Sequence, residues 1–146
     1  MNIKNILLEY GKESGLGKLT LNEQGKCTLF INNTFLICFE PAESREGFFA
    51  YSVIEGVDTE DKDQLTALLQ GNLFGSETGL ASIGYDPVTR SIVFFEYFDD
   101  EQTDYSEFKR RMSEFVSYLH YWKAKLTFRQ SDAVPKNEEE RNIFYA

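Results

Sequence analysis

Histidine and cysteine are nearly missing from this chain of 146 residues, which has one of the first, His120, and two of the second, Cys27 and Cys38. Zinc sites and catalytic triads normally need a histidine with positioned partners. His120 stands mid-helix between Leu119 and Tyr121, one residue off an apolar stripe, which suits a structural or solvated role. Two cysteines make no disulfide framework, and that fits a reducing compartment. Basic residues are also short: 15 Lys and Arg stand against 24 Asp and Glu, a net charge of −9 with a pI of about 4.6. Such a surface repels phosphate backbones and anionic lipid heads, so nucleic acid and membranes are poor partners. Long apolar runs are absent too. The stretch around Ile92 to Phe95 is far too short to span a bilayer, and Met1 to Tyr10, carrying Lys4 and Glu9, lacks the apolar core of a signal peptide. The expectation is a cytoplasmic protein.

The usual chemical motifs fail on spacing. Gly11-Lys12-Glu13-Ser14-Gly15-Leu16-Gly17-Lys18 looks like a phosphate-binding loop, but the interval from Gly11 is one residue too long. Leu19 also stands where magnesium needs Ser or Thr, and no strand precedes the stretch. In Gly75-Ser76-Glu77-Thr78-Gly79 the serine follows glycine directly, which is not a nucleophile elbow. Asp99, Asp100, Glu101 and Asp104 lack the central glycine and closing glutamate of a calcium loop. No catalytic residue, metal ligand or cofactor is expected, and the protein is not read as an enzyme.

What the chain does have is aromatic and aliphatic bulk: hydrophobic residues make up 42% of it, with 13 Phe and 8 Tyr. That is enough for one real core. Ile3, Ile6, Leu7 and Tyr10 recur at helical spacing and stop at Gly11 and Gly15. Strands are predicted over Lys26 to Ile31, Phe35 to Glu40 and Phe48 to Ile54. A second helix opens at Thr59 to Asp61, carries Leu65, Leu68 and Leu69, and ends near Gly71 or Gly75. Leu80 to Tyr85 and Ser91 to Phe98 flank the turn pair Asp86-Pro87. A long helix follows the acidic stretch, with Phe108, Met112, Phe115, Leu119, Trp122 and Leu126 forming one stripe. The fold class is therefore α+β: helix, three strands, helix, two strands, helix, with an antiparallel sheet and flanking helices. One domain covers 1–128. A flexible polar tail, with Pro135 and Glu138-Glu139-Glu140, covers 129–146 and ends on the apolar Ile143-Phe144-Tyr145.

Asn32-Asn33 suits a two-residue turn, because asparagine tolerates positive φ. That register sets Cys27 opposite Cys38. A disulfide is then geometrically conceivable, though two reduced thiols are the simpler reading. It also sorts the hairpin by face. Cys27, Leu29, Ile31, Leu36 and Cys38 share one side; Phe30, Phe35, Ile37 and Phe39 share the other. Both sides are apolar, whereas a sheet with one wet face alternates apolar with polar. Either helices cover both sides, or the phenylalanine side is an exposed patch that binds protein.

The element order resembles the class I type III secretion chaperones, the Tir-chaperone (CesT-like) family. Three stretches carry the likeness. The first runs from Leu19-Thr20-Leu21-Asn22-Glu23 through Cys27-Thr28-Leu29-Phe30-Ile31-Asn32. The second is Leu68-Leu69-Gln70-Gly71-Asn72-Leu73-Phe74 with Gly79 to Asp86 and Ile92-Val93-Phe94. The third is Phe115-Val116 with Trp122 and Leu126. Gly71 departs from the residue type commoner in the family before this asparagine. The resemblance implies a homodimer in the bacterial cytoplasm that holds the N-terminal, non-globular segment of a secreted effector, without cofactor. An adaptor of the same fold that binds a folded partner is the alternative. From the face sorting of the hairpin, Phe30, Phe35, Ile37 and Phe39 are the expected effector-binding residues. The family's dimer contact lies at helix two and the next strand, here Leu65, Leu68, Leu69, Leu73, Leu80 and Ile83.

Overall fold

The protein is described by a computed structural model in which residues 1–127 and 143–145 are placed. Helix α1 (Ile3–Glu13) is followed by β1 (Cys27–Ile31), β2 (Phe35–Pro41) and β3 (Phe48–Val53). Helix α2 (Lys62–Asn72) runs into a single 3-10 turn (Leu73–Gly75), and β4 (Ser82–Asp86), β5 (Ser91–Phe98) and α3 (Tyr105–Thr127) complete the expected order. The fold is α+β. Its sheet runs β4-β5-β3-β2-β1, antiparallel throughout, and ends on a sixth strand, β6 (Ile143–Tyr145), which lies parallel to β1. The expected flexible tail over 129–146 falls mostly outside the described residues. Its last apolar residues are a strand rather than tail.

Each helix starts where a side chain accepts from its orphan N–H groups. Asn2 accepts from Asn5 N–H at 3.0 Å, Asp61 from Asp63 and Gln64, and Asp104 from Glu107 at 2.8 Å. The acidic stretch before α3 is used in the same way, since Asp99 accepts from the N–H groups of Glu101 and Gln102.

All three helices pack on one side of the sheet. The α3 stripe of Phe108, Met112, Phe115, Leu119, Trp122 and Leu126 is fully buried, with Ile3, Ile6 and Leu7 of α1 and Leu68 of α2 in the same cluster. Phe108 is its centre, with ring centroids 5.5–6.1 Å from Phe98, Phe39, Phe48 and Tyr10. One ion pair lies within this layer. Glu96, 4% exposed, accepts from Arg111 Nε at 2.9 Å, and Arg111 also donates to Tyr97 O and lies over the Phe98 ring. Burial holds the Glu96 carboxyl above its usual range, against the pull of Arg111.

The hairpin register differs from expectation. The pairs are Cys27 with Phe39, Thr28 with Cys38, Leu29 with Ile37, Phe30 with Leu36 and Ile31 with Phe35. The turn therefore holds Asn32, Asn33 and Thr34. Both asparagines have positive φ, and Thr34 N–H closes the turn on Ile31 O at 3.0 Å. One added turn residue moves every side chain of β2 to the opposite face. Phe35, Ile37 and Phe39 thus join Cys27, Leu29 and Ile31 in the core, while Leu36, Cys38 and Glu40 turn outward beside Thr28 and Phe30. The physical gain is clear. Six apolar residues fill the inner face, and the polar Thr28, Glu40 and Lys26 stay out of it.

Candidate functional site

The outer face of the sheet is the first candidate. Its residues are Thr28 and Phe30 on β1, Leu36, Cys38 and Glu40 on β2, Phe49, Tyr51 and Val53 on β3, and Val93, Phe95 and Tyr97 on β5. The strand alternation and pairing bring them to one side. None is fully buried, because the helices spend their apolar faces on the other side. The rings lean on one another instead: Phe49 lies 6.2 Å from Phe95 and 5.4 Å from Tyr97. Arg45, from the β2–β3 loop, stacks over Tyr97 at 3.6 Å and reaches Phe49 at 5.6 Å. Lys26 pairs with Glu40 at 3.4 Å, and Tyr51 donates to the same carboxylate. Burial among these side chains, with the contact to Cys38, raises the Tyr51 hydroxyl well above its ordinary range. The result is an apolar, aromatic floor with a few polar groups at its edges.

Of the residues expected to bind an effector, only Phe30 lies on this face. Phe35, Ile37 and Phe39 are core residues, so the phenylalanine patch as first drawn does not exist. Leu36, Phe49, Tyr51, Phe95 and Tyr97 share the outer face with Phe30 instead. A signal for them was present: Lys26 opposite Glu40 is an attractive cross-strand pair, and it requires the register with the longer turn.

The second candidate is the stretch from α2 to β4. Leu69, Leu73 and Leu80 are exposed there. Leu68 is buried in its own core, and Leu65 and Ile83 are half-buried against that core. Leu68 is thus not available to a partner in the way expected. Phe74 was missed. It is 98% exposed, and its φ of 55° puts a bulky residue in left-handed backbone. Such a conformation costs about 1–2 kcal/mol. The stretch is held compact by Ser76 donating to Gln70 O and by Glu77 N–H donating to Gly71 O. Asn72 ties it to the sheet, since its side chain accepts from Ile83 N–H at 2.8 Å and donates to Ile83 O at 3.1 Å. At Gly71, the sequence departure noted above, a Cβ would collide with the Trp122 ring and the Glu77 carboxylate. That glycine lets α2 meet α3.

The remaining candidates do not assemble into chemistry. Cys27 points into the core and Cys38 outward, so the two do not face one another as a disulfide requires. Burial lifts the Cys27 thiol to about 11, so it is neutral and unreactive at physiological pH. His120 is exposed, and its ring stands edge-on to Phe35 at 4.7 Å. The glycine-rich loop after α1 follows a helix rather than a strand. Among the described residues no group of three or more His, Cys, Asp or Glu is placed to hold a metal, and no helix is long and apolar enough to cross a membrane.

Solved structures share this fold at low identity. A chain of the HopA1–SchA chaperone–effector complex superposes with a TM-score of 0.72 at 19% identity, covering 83% of this chain and 92% of its own. A chain of the ExsC–ExsE complex gives 0.73 at 18%, covering 86% and 97%. A chain of the heterodimeric ExoU–SpcU complex from the type III secretion system of Pseudomonas aeruginosa gives 0.62 at 16%, covering 88% and 98%. No curated protein matches the sequence. The sequence pattern of one family spans residues 5–123, most of the molecule and both candidate surfaces, and on that match the chain belongs to the Tir chaperone protein (CesT) family.

Proposed function

We propose that this protein is a cytoplasmic chaperone of bacterial type III secretion, which binds the N-terminal, non-globular segment of an effector and keeps it soluble. The observation that carries this reading is the aromatic outer face of the sheet, which no described helix covers. A segment without its own fold loses much chain entropy on binding and must recover it through broad apolar contact. Phe30, Leu36, Phe49, Tyr51, Phe95 and Tyr97 offer a floor of that kind, and aromatic anchors are favoured at interfaces. Solved neighbours support the partner class, since one is described as a chaperone–effector complex and another as the Yersinia pestis type III secretion chaperone SycH with a fragment of YscM2. The work is binding, with no cofactor, nucleotide or catalytic step.

The functional unit in this reading is a homodimer joined through Leu69, Leu73, Phe74 and Leu80. An exposed phenylalanine in strained backbone is explained when a partner receives it. The test is co-expression with type III effectors of the same cell, followed by titration with the isolated N-terminal segment of any effector that co-purifies. Binding by that segment alone supports the proposal. Binding that needs the effector's folded domain favours an adaptor and contradicts it.

A further inference from the structure

The sheet has two edges, and β1 forms one of them until β6 is counted. A bare edge strand displays unpaired N–H and C=O groups and readily accepts another strand. Here β6 fills it in parallel, with Thr28 beside Ile143, Leu29 beside Phe144 and Phe30 beside Tyr145. The pairing places two rings on opposite faces. Phe144 is half-buried against the core cluster, on the side of Leu29. Tyr145 lies on the outer face, with its ring edge-on to Phe30 at 5.5 Å. It is 64% exposed, so the outer half of this contact is shallow. Three residues are a short strand.

We propose that Ile143–Tyr145 is a built-in, displaceable strand ligand, which masks the β1 edge and Phe30 until an extended apolar segment takes its place. That the incoming segment is an effector's rests on the function proposed above; that the edge is a strand-accepting site occupied in cis does not. A tethered segment competes at an effective concentration of about millimolar. It therefore weakens any rival for the edge without preventing a tight one from entering. It also protects the edge from pairing with other chains when no partner is present.

The probe is a fluorescent peptide with the sequence of residues 138–146, titrated by anisotropy into full-length protein. In full-length Phe144→Asp the charge cannot enter the core, so the edge stands open. This variant binds the peptide about tenfold or more tighter than wild type, as expected if wild type is occupied in cis. Tyr145→Ser, which removes only the outer ring, shifts affinity in the same direction by less. A peptide carrying the Phe144→Asp change binds neither protein. Equal affinity for wild type and Phe144→Asp overturns the proposal. So does a Phe144→Asp protein of native circular dichroism and melting temperature that binds no peptide. If Phe144→Asp fails to fold, Tyr145→Ser is judged by the same comparison. The assay contains no effector, so a failure of effector binding leaves its result intact.

Discussion

Phe30 and Phe39 are both phenylalanines of one hairpin, yet they differ in everything that governs the effect of losing them. Phe39 is completely buried and touches Phe48 and Phe108, whereas Phe30 is half-buried on the outer face. Phe39→Ser is expected to cost about 3–5 kcal/mol, enough to unfold many domains. Phe30→Ser is expected to leave the thermal midpoint almost unchanged and to weaken effector binding. Thermal melts and binding titrations on the two variants check this directly. A second residue-scale prediction concerns Glu96, whose burial raises its pKa in the folded state. A raised carboxyl means the folded protein takes up its proton first. Wild type therefore gains stability relative to Glu96→Gln as pH falls from the raised folded value toward the ordinary Glu value of about 4.3. Urea melts of the two proteins across that range measure the difference. A difference that moved toward Glu96→Gln on acidification would contradict the burial argument.

At the scale of elements, the joint between α2 and β4 depends on one side chain. Asn72 takes the place of a neighbouring strand for Ile83, accepting from its N–H and donating to its C=O. Asn72→Ala orphans both groups and should cost about 2 kcal/mol, read as a lowered urea midpoint with an unchanged slope. Helices and strands were legible in the sequence because their periods are strong. The α3 stripe from Phe108 to Leu126 repeats at helical spacing, and all of it is buried. The hairpin was less legible, because turn length is a one-residue quantity and Asn32-Asn33 fits loops of two residues or three. Apolar content could not resolve it, since β1 and β2 carry large apolar side chains on both faces. The charges at the far end could, through Lys26 and Glu40. The outer aromatic floor also draws on β3 and β5, which are distant in sequence from the hairpin and join it only through β2–β3 and β3–β5 pairing. Phe74 gave no sequence signal, because nothing in its spacing announces left-handed backbone. The pairing of β6 with β1 is parallel and joins strands far apart in sequence, and no local pattern predicts such a contact.

At the scale of the whole molecule, the three helices among the described residues lie against one side of the sheet, and none of them covers the rings of the other side. In the proposed function the aromatic floor and the strained, exposed Phe74 are two separate surfaces, so dimerisation and effector binding should separate by mutation. Phe74→Asp is expected to shift the mass in light scattering from twice 16.9 kDa toward 16.9 kDa while leaving the folded core intact. Phe49→Asp on the floor should do the reverse, keeping the dimer and losing the effector. The most direct test of the account is limited proteolysis of the complex that wild-type protein captures from a lysate of its own cells, with Phe49→Asp protein taken through the same capture. Mass spectrometry then identifies the partner fragment that survives. The account predicts a protected stretch from the partner's N-terminal, non-globular region, held by wild type and lost with Phe49→Asp. A protected folded domain, or equal capture by the two proteins, would contradict it.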